Sequence, residues 1–100
     1  MEAGDFIPVV QLCTLYKVET SFFNRLNEVG LIEIITVEKV SCLHQDRIRD
    51  VEKMIRMYHE LNVNIEGIDV VFNLLHKVDG LQNELDLVRN RLRLYENEQL

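Results

Sequence analysis

The chain has few of the residues that build loops, disulfides or basic surfaces. Its 100 residues include one proline, four glycines, two cysteines and no tryptophan. So little proline and glycine predicts a mainly helical protein. Cys13 and Cys42 lack the spacing of a metal site and are too few for a disulfide framework, so both are predicted to be reduced. No apolar run approaches the length of a membrane span, and the N-terminus lacks the basic and apolar pattern of a signal peptide.

Positive charge is also scarce, with 11 Lys and Arg against 17 Asp and Glu, a formal net charge of −6. This balance disfavours electrostatic binding to nucleic acid or to an anionic membrane, and it permits a basic protein partner. The chain contains no glycine-rich phosphate loop and no spacing typical of a catalytic triad. His59-Glu60 lacks the second histidine of a zinc-protease helix, because position 63 is Val63. We therefore expect a cytoplasmic protein that is not an enzyme and has no metal or cofactor.

The N-terminal third predicts two short helices followed by a hairpin. An extended lead-in at Phe6 and Ile7 precedes a helix over residues 8–16, and a second helix starts at Glu19 or Thr20 and ends at Gly30, which suits a left-handed position. This spacing is typical of a helix-turn-helix. The β-branched stretch 31–37 and the stretch 40–44 predict a two-stranded wing with Glu38 and Lys39 at its tip.

A third helix is predicted over residues 46–61, capped by Gln45 or Asp46, because its apolar residues form a single arc at helical spacing. The arc contains Ile48, Val51, Met54, Ile55, Tyr58 and Leu61. The opposite side carries Arg49, Lys53, Arg56 and Glu60. Asn62 is predicted to take a left-handed C-cap, and Asn64 is predicted to cap the next helix.

From Gly67 onward, apolar residues alternate at spacings of three and four, which is the heptad pattern of a coiled coil. These predicted self-association residues are Val71, Leu74, Val78, Leu81, Leu85, Val88, Leu92 and Tyr95. The pattern predicts a homodimer, with a helix packed on its own domain as the alternative, and Gly80 marks a possible kink. The predicted division is a winged domain over residues 1–66 and a helical segment, packed on it, over residues 67–100.

The predicted recognition helix is poorly equipped to read DNA, because phosphate and guanine contacts require cations. Arg25 is the only cation in this helix, and Lys39 is the only cation in the wing. Residues 1–44 contain three basic and six acidic residues. The sequence therefore favours a scaffold or a protein-binding surface over a DNA-binding one.

Two segments resemble the MerR-type helix-turn-helix family. The first is Val18 to Leu31, with the sequence VETSFFNRLNEVGL, and the second is RMYHEL, residues 56–61, followed by NIEGI, residues 64–68. The resemblance implies a mainly α, MerR-like winged helix-turn-helix with a small two-stranded wing and a C-terminal coiled-coil helix. The family pattern carries Arg followed by an aromatic residue in the recognition helix, where this chain has Asn24 and Arg25.

Within that superfamily the chain is most similar to the bacterial chaperone-modulator family CbpM, over about residues 6–95. Cys13, the Gly30 turn, the Arg-x-x-His-Glu-Leu of residues 56–61, Gly67-Ile68 and Arg91-Leu92 carry this resemblance. It implies a cytosolic protein that binds the J-domain of a DnaJ-like, CbpA-type co-chaperone and inhibits it. A hypothesis for the partner-binding residues is Asp50, Met57, Glu60, Glu66 and Asp69. The alternative is a MerR-like DNA-binding transcriptional regulator.

Overall fold

The computed structural model describes the backbone of residues 3–99 and the side chains of residues 4–97. These residues form two compact units, one ending at Asp69 and the other starting at Val70. The elements of the first unit are, in order, a 3-10 turn at Ala3–Asp5, β1 (Phe6–Pro8), α1 (Val9–Tyr16), α2 (Thr20–Glu28), β2 (Ile35–Val37), β3 (Val40–His44), a 3-10 turn at Gln45–Arg47 and α3 (Ile48–Glu60). The last helix, α4, spans Ile65–Gln99. No helix within residues 3–99 has both the length and the apolar character that crossing a membrane requires.

The two helices of the helix-turn-helix lie where the sequence predicts them. Pro8 precedes α1 as its N-cap, and Lys17 ends it in the left-handed region at φ 57°. The Lys17 amide donates to the carbonyl of Cys13, and the Val18 amide donates to the same carbonyl at 3.1 Å, which closes the end of the helix. Gly30 ends α2 at φ 83°, a backbone conformation that favours glycine. The predicted glycine turn is therefore confirmed.

The sheet has three strands, whereas the sequence predicts a wing of two. The central strand β3 pairs antiparallel with β2 and also with β1, in the order β1-β3-β2. The extended lead-in thus forms an edge strand, in which Phe6 lies opposite His44. An edge accommodates Pro8, because a proline has no amide hydrogen to offer to the ladder. At the wing tip Glu38 and Lys39 both have positive φ, at 49° and 68°, as in a tight type I′ hairpin turn.

The predicted strand over residues 31–37 is wrong in its first half, because only Ile35–Val37 pairs with β3. Leu31 and Ile32 are buried in a loop, at 8% and 4% exposure. The backbone of this loop finds other partners, so it does not need a ladder. The Leu31 amide donates to the carbonyl of Leu26, and the Ile34 amide donates to Asn27 Oδ1 at 3.0 Å. The Arg47 guanidinium donates to the Leu31 carbonyl at 3.0 Å.

The third helix begins two residues later than predicted and buries a narrower arc. The predicted cap at Gln45 or Asp46 is wrong, because Arg47 is the N-cap of α3 and makes no side-chain cap hydrogen bond. His44 instead caps the preceding 3-10 turn, since its Nδ1 accepts the Asp46 amide at 3.1 Å. Val51, Met54 and Ile55 are buried, whereas Tyr58 and Leu61 are 38% and 65% exposed. Asn62 takes the predicted left-handed conformation at φ 55°.

The fourth helix begins at the predicted cap and continues without interruption. Asn64 Oδ1 accepts the Gly67 amide at 2.8 Å, which confirms the N-cap. Ile65 and Ile68 are buried at 1% and 0% exposure in the first unit. The helix runs through Gly80, so the predicted kink does not divide it into two helices. A single glycine costs a helix only about 1 kcal/mol, which is too little to break one of this length.

Candidate protein-binding surface

The outward face of α2 is where a helix-turn-helix protein contacts its target. Phe22, Phe23 and Leu26 point into the core, at 5%, 0% and 0% exposure. Asn24 and Arg25 remain exposed on the other side. The amphipathic spacing of α2 thus fixes which side chains a partner can reach.

Arg25 is not a free cation. Its Nη2 lies 3.2 Å from Glu66 Oε1 in the first turn of α4, with side-chain exposures of 50% and 67%. An exposed pair of this kind contributes about 0–1 kcal/mol to stability. The pair also lowers the positive charge of this surface, because it places a carboxylate next to the only cation of the helix that would meet DNA. The sequence alone could not predict this pairing, because 41 positions separate the two residues.

The wing does not add positive charge to this face. Its tip exposes Lys39 beside Glu38, and Glu33 is exposed in the loop before β2. Each of the two elements that would contact DNA thus presents at least as many carboxylates as cations.

The five residues of the partner-binding hypothesis do not form one continuous acidic patch. Asp50 lies in the first turn of α3, and its carboxylate is 3.3 Å from the Arg47 guanidinium. Glu60 is ten residues further along α3, about 15 Å along the helix axis. Glu60 and Glu66 are exposed, while Met57 and Asp69 are partly buried. The carboxylates of Asp50 and Glu66 each have a basic neighbour, and Glu60 has no ion pair among the described residues.

The outward face of α3 is mixed in charge and is more basic than the chain as a whole. Arg49, Lys53 and Arg56 are all exposed at helical spacing. Within the described part of the chain, none of the three forms an ion pair with a carboxylate. The overall charge of −6 therefore does not describe this helix, in which these three cations balance the carboxylates of Asp50, Glu52 and Glu60.

An aromatic groove near the end of α3 was not predicted from the sequence. It has a volume of about 360 Å³ and is lined by side chains from the end of α1, from α2 and from α3. Phe22 and Tyr58 both line it, with ring centroids 4.7 Å apart and planes at 47°. Lys17, Glu19, Arg25 and His59 are among the lining residues. Because Glu66 binds Arg25, its carboxylate borders this aromatic groove.

Sequence periodicity placed Tyr58 within the buried arc, and this is why the groove was missed. At 38% exposure, Tyr58 instead presents part of its ring to solvent. The available signal was the position of Tyr58 in the last turn of α3, where a helix face commonly leaves the core. Tyr58, His59 and Glu60 therefore form an exposed last turn that combines aromatic and acidic groups.

Tyr16 of α1 interacts with Glu52 of α3, and its pKa is shifted. Burial, and then the neighbouring Glu52 carboxylate, which also accepts a hydrogen bond from the phenol, raises the pKa of Tyr16 above its ordinary value. Both effects disfavour the phenolate, since burial removes water and the carboxylate repels a second negative charge. The shift belongs to the scaffold and lies outside the aromatic groove.

The two cysteines and the histidines do not form a metal centre in the described residues. Cys13 and Cys42 are free thiols, and Cys13 Sγ lies 3.8 Å from Thr20 Oγ1. No three side chains of the types that ligate metals come together within residues 4–97.

The predicted self-association residues lie along α4 as an exposed apolar stripe. Except for the partly buried Val71, its members are between 42% and 65% exposed. Soluble proteins rarely leave so long a row of Leu and Val side chains in contact with water without a partner. The apolar residues of the predicted heptad therefore lie on one face of a continuous helix.

Comparison with known protein families gives a match over most of the chain. Residues 7–90 match the family described as MerR HTH family regulatory protein. The match spans both helices of the helix-turn-helix, the wing, α3 and most of α4. No curated protein and no solved structure matches the chain significantly.

Proposed function

Because this chain belongs to the MerR helix-turn-helix family of regulatory proteins, we propose that it regulates by binding a protein. The proposed partner is the J-domain of a DnaJ-like, CbpA-type co-chaperone, and binding of this chain restrains that co-chaperone. The observation that carries the proposal is the ion pair between Arg25 and Glu66, at 3.2 Å. The recognition helix of this regulator has its only cation next to a carboxylate.

Electrostatics distinguishes a DNA target from a protein target. A helix that docks on DNA gains most of its affinity by neutralising phosphates with Lys and Arg. Here α2 contains Arg25 and Glu28, and Glu19 precedes it at the N-cap. A duplex that approached this face would meet two carboxylates and one compensated guanidinium. A basic protein surface would be attracted to the same groups.

The end of α3 has the composition of a protein-binding hot spot. Such sites combine an aromatic or aliphatic pocket with a polar rim that excludes water. The aromatic groove provides the pocket, and the carboxylates of Glu60 and Glu66 lie close to it in sequence or in space. The resemblance to CbpM implies a J-domain, whose basic helix would meet these carboxylates. Masking that helix would keep the co-chaperone from its Hsp70 partner.

Binding of the purified J-domain tests this proposal directly. We expect saturable binding to the full chain in titration calorimetry, and a loss of at least about fivefold in affinity for Glu60→Lys, because the reversal replaces attraction by repulsion. Glu38→Lys at the wing tip is the matched control, since it makes the same charge change outside α3 and outside the lining of the aromatic groove, and it should leave the affinity within about twofold. Absence of binding, or an equal loss for both variants, contradicts the proposal.

A DNA-binding regulator remains the second candidate, and the family description favours it. Such a protein would bind duplex DNA with an affinity that falls steeply as salt rises. Glu66→Gln tests this alternative, because it frees the Arg25 guanidinium. Duplex binding by the unmodified chain at physiological salt would support the second candidate over the first.

A further inference from the structure

A second groove lies beside the three-stranded sheet, and we call it the wing groove. It has a volume of about 830 Å³ and is lined by residues of the sheet, of the loop after α2 and of the 3-10 turn before α3. Its apolar surface comes from Phe6, Leu31, Ile32 and Ile35. Among residues 4–97, it shares no lining residue with the aromatic groove. The two grooves are therefore separate surfaces of the first unit.

The walls of the wing groove are held in place by hydrogen bonds. In the loop wall, the Leu31 amide donates to the Leu26 carbonyl and the Ile34 amide donates to Asn27 Oδ1, both at 3.0 Å. From the opposite wall, the Arg47 guanidinium donates to the Leu31 carbonyl at 3.0 Å. A surface that is already ordered loses less conformational freedom when it binds. The groove is thus formed before a ligand arrives.

The uncompensated charge of the wing groove is negative. Its charged lining residues are Glu33, Asp46 and Arg47. Arg47 is compensated, because its Nη1 lies 3.3 Å from Asp50 Oδ2. His44 Nδ1 accepts the Asp46 amide and therefore carries no proton in this arrangement. The carboxylates of Glu33 and Asp46 consequently favour a cation in the groove.

We propose that the wing groove binds an arginine side chain of a protein partner. The aliphatic stem of the arginine lies on the apolar surface, and its guanidinium meets the carboxylates of Glu33 and Asp46. A guanidinium is weakly hydrated and stacks on aromatic rings. The Phe6 ring is available for this contact, since it is only partly buried and is held edge to face against His44 at 5.0 Å. Charge and apolar surface together therefore select a cation with a long stem.

The exposure of the wing groove favours a side chain presented by a folded partner over a free small molecule. The Asp46 side chain is 79% exposed, and Glu33 is exposed as well. A pocket for a free ligand encloses about 70–90% of the surface of that ligand. A side chain on a protein needs less enclosure, because the rest of the interface helps to offset the cost of association.

Magnetic resonance titration of the isotope-labelled full chain tests this proposal with the peptide acetyl-Ala-Arg-Ala-amide. We expect saturable binding in the millimolar range, with the largest amide shift changes at Ile32, Ile35 and Asp46. The same peptide with citrulline in place of arginine has nearly the same shape without the charge, and it should bind at least about fivefold more weakly. Because the peptide is used alone, the result does not depend on whether a J-domain binds.

Three outcomes of this titration overturn the proposal. The first is the absence of saturable binding of the arginine peptide. The second is equal affinity for the arginine and citrulline peptides, since the carboxylates would then contribute nothing. The third is a set of shift changes centred on Phe22 and Tyr58, because the peptide would then occupy the aromatic groove instead.

Two variants locate the guanidinium within the wing groove. Glu33→Gln and Asp46→Asn each remove one negative charge at nearly constant size, and each should weaken binding of the arginine peptide at least about fivefold. Glu38→Gln is the matched control, because it makes the same charge change outside the groove lining, and it should leave the affinity within about twofold. Unchanged amide shifts away from the substitution verify that each variant is folded. Equal losses for all three variants overturn the site, since net charge alone would then explain the binding.

Discussion

Two glycines in α4 should respond in opposite directions to the same substitution. Gly67 lies in the first turn, and Gly80 lies near the middle of the helix. Alanine is the better helix former by about 1 kcal/mol at an interior position. Intrinsic propensity alone therefore predicts that both glycine-to-alanine changes raise stability.

The surroundings of the two glycines decide the outcome. A Cβ at Gly80 would have no neighbouring atom within 4 Å. A Cβ at Gly67 would lie 2.7 Å from Val63 Cγ1 and 3.1 Å from Asn64 Oδ1. A valine is stiff at χ1, and the Val63 amide also donates to the Met57 carbonyl at 3.0 Å, so this residue cannot easily move away.

The magnitudes follow from these distances. Overpacking of this kind costs about 1–3 kcal/mol. Displacing Asn64 would weaken the 2.8 Å cap to the Gly67 amide, and the loss of a cap costs about 1 kcal/mol. We therefore expect Gly67→Ala to destabilise the protein by about 1–2 kcal/mol net, and Gly80→Ala to stabilise α4 by up to about 1 kcal/mol.

Urea unfolding followed by circular dichroism at 222 nm measures both changes. Gly67→Ala should lower the midpoint, and Gly80→Ala should raise or preserve it. The reasoning is refuted if Gly67→Ala stabilises as much as Gly80→Ala, because the contact with Val63 would then carry no cost.

Two further predictions follow from single contacts. Asn27→Ala should destabilise the first unit by about 0.5–1.5 kcal/mol, measured by urea unfolding, because it removes the hydrogen bond that Asn27 accepts from the Ile34 amide; Asn27→Asp keeps an acceptor and should cost less, and equal losses would contradict the role of this hydrogen bond. The raised pKa of Tyr16 adds stability that is fully present below pH 10 and is lost as pH rises through the higher folded-state value. Tyr16→Phe should therefore flatten the alkaline loss of stability above pH 10, and an unchanged profile would show that another group causes it.

Local chemistry made much of the fold predictable. The left-handed Gly30 and Asn62, the cap at Asn64 and the two helices before the wing depend on residues close together in sequence, whose preferences are strong. The third strand and the shortened second strand were not predictable, because they depend on partners far along the chain. Arg47, for example, occupies the Leu31 carbonyl that a strand would have offered to a neighbour.

The candidate surface shows the same limit. The net charge and the single cation of α2 could be read from the sequence, and both argue against DNA binding. The pairing of Arg25 with Glu66 and the aromatic groove beside Tyr58 could not, since each brings together elements that are remote in the chain. The mixed face of α3 also shows that an average charge does not locate a binding surface.

The most direct test of the proposed function compares two labelled ligands with the full chain in one anisotropy titration. One ligand is a purified J-domain from a DnaJ-like co-chaperone, and the other is a duplex oligonucleotide, both at physiological salt. If the chain is a protein-binding regulator, we expect saturable binding of the J-domain, weakened by Glu60→Lys, and no saturation by the duplex. Saturable binding of the duplex, without binding of the J-domain, would contradict the account.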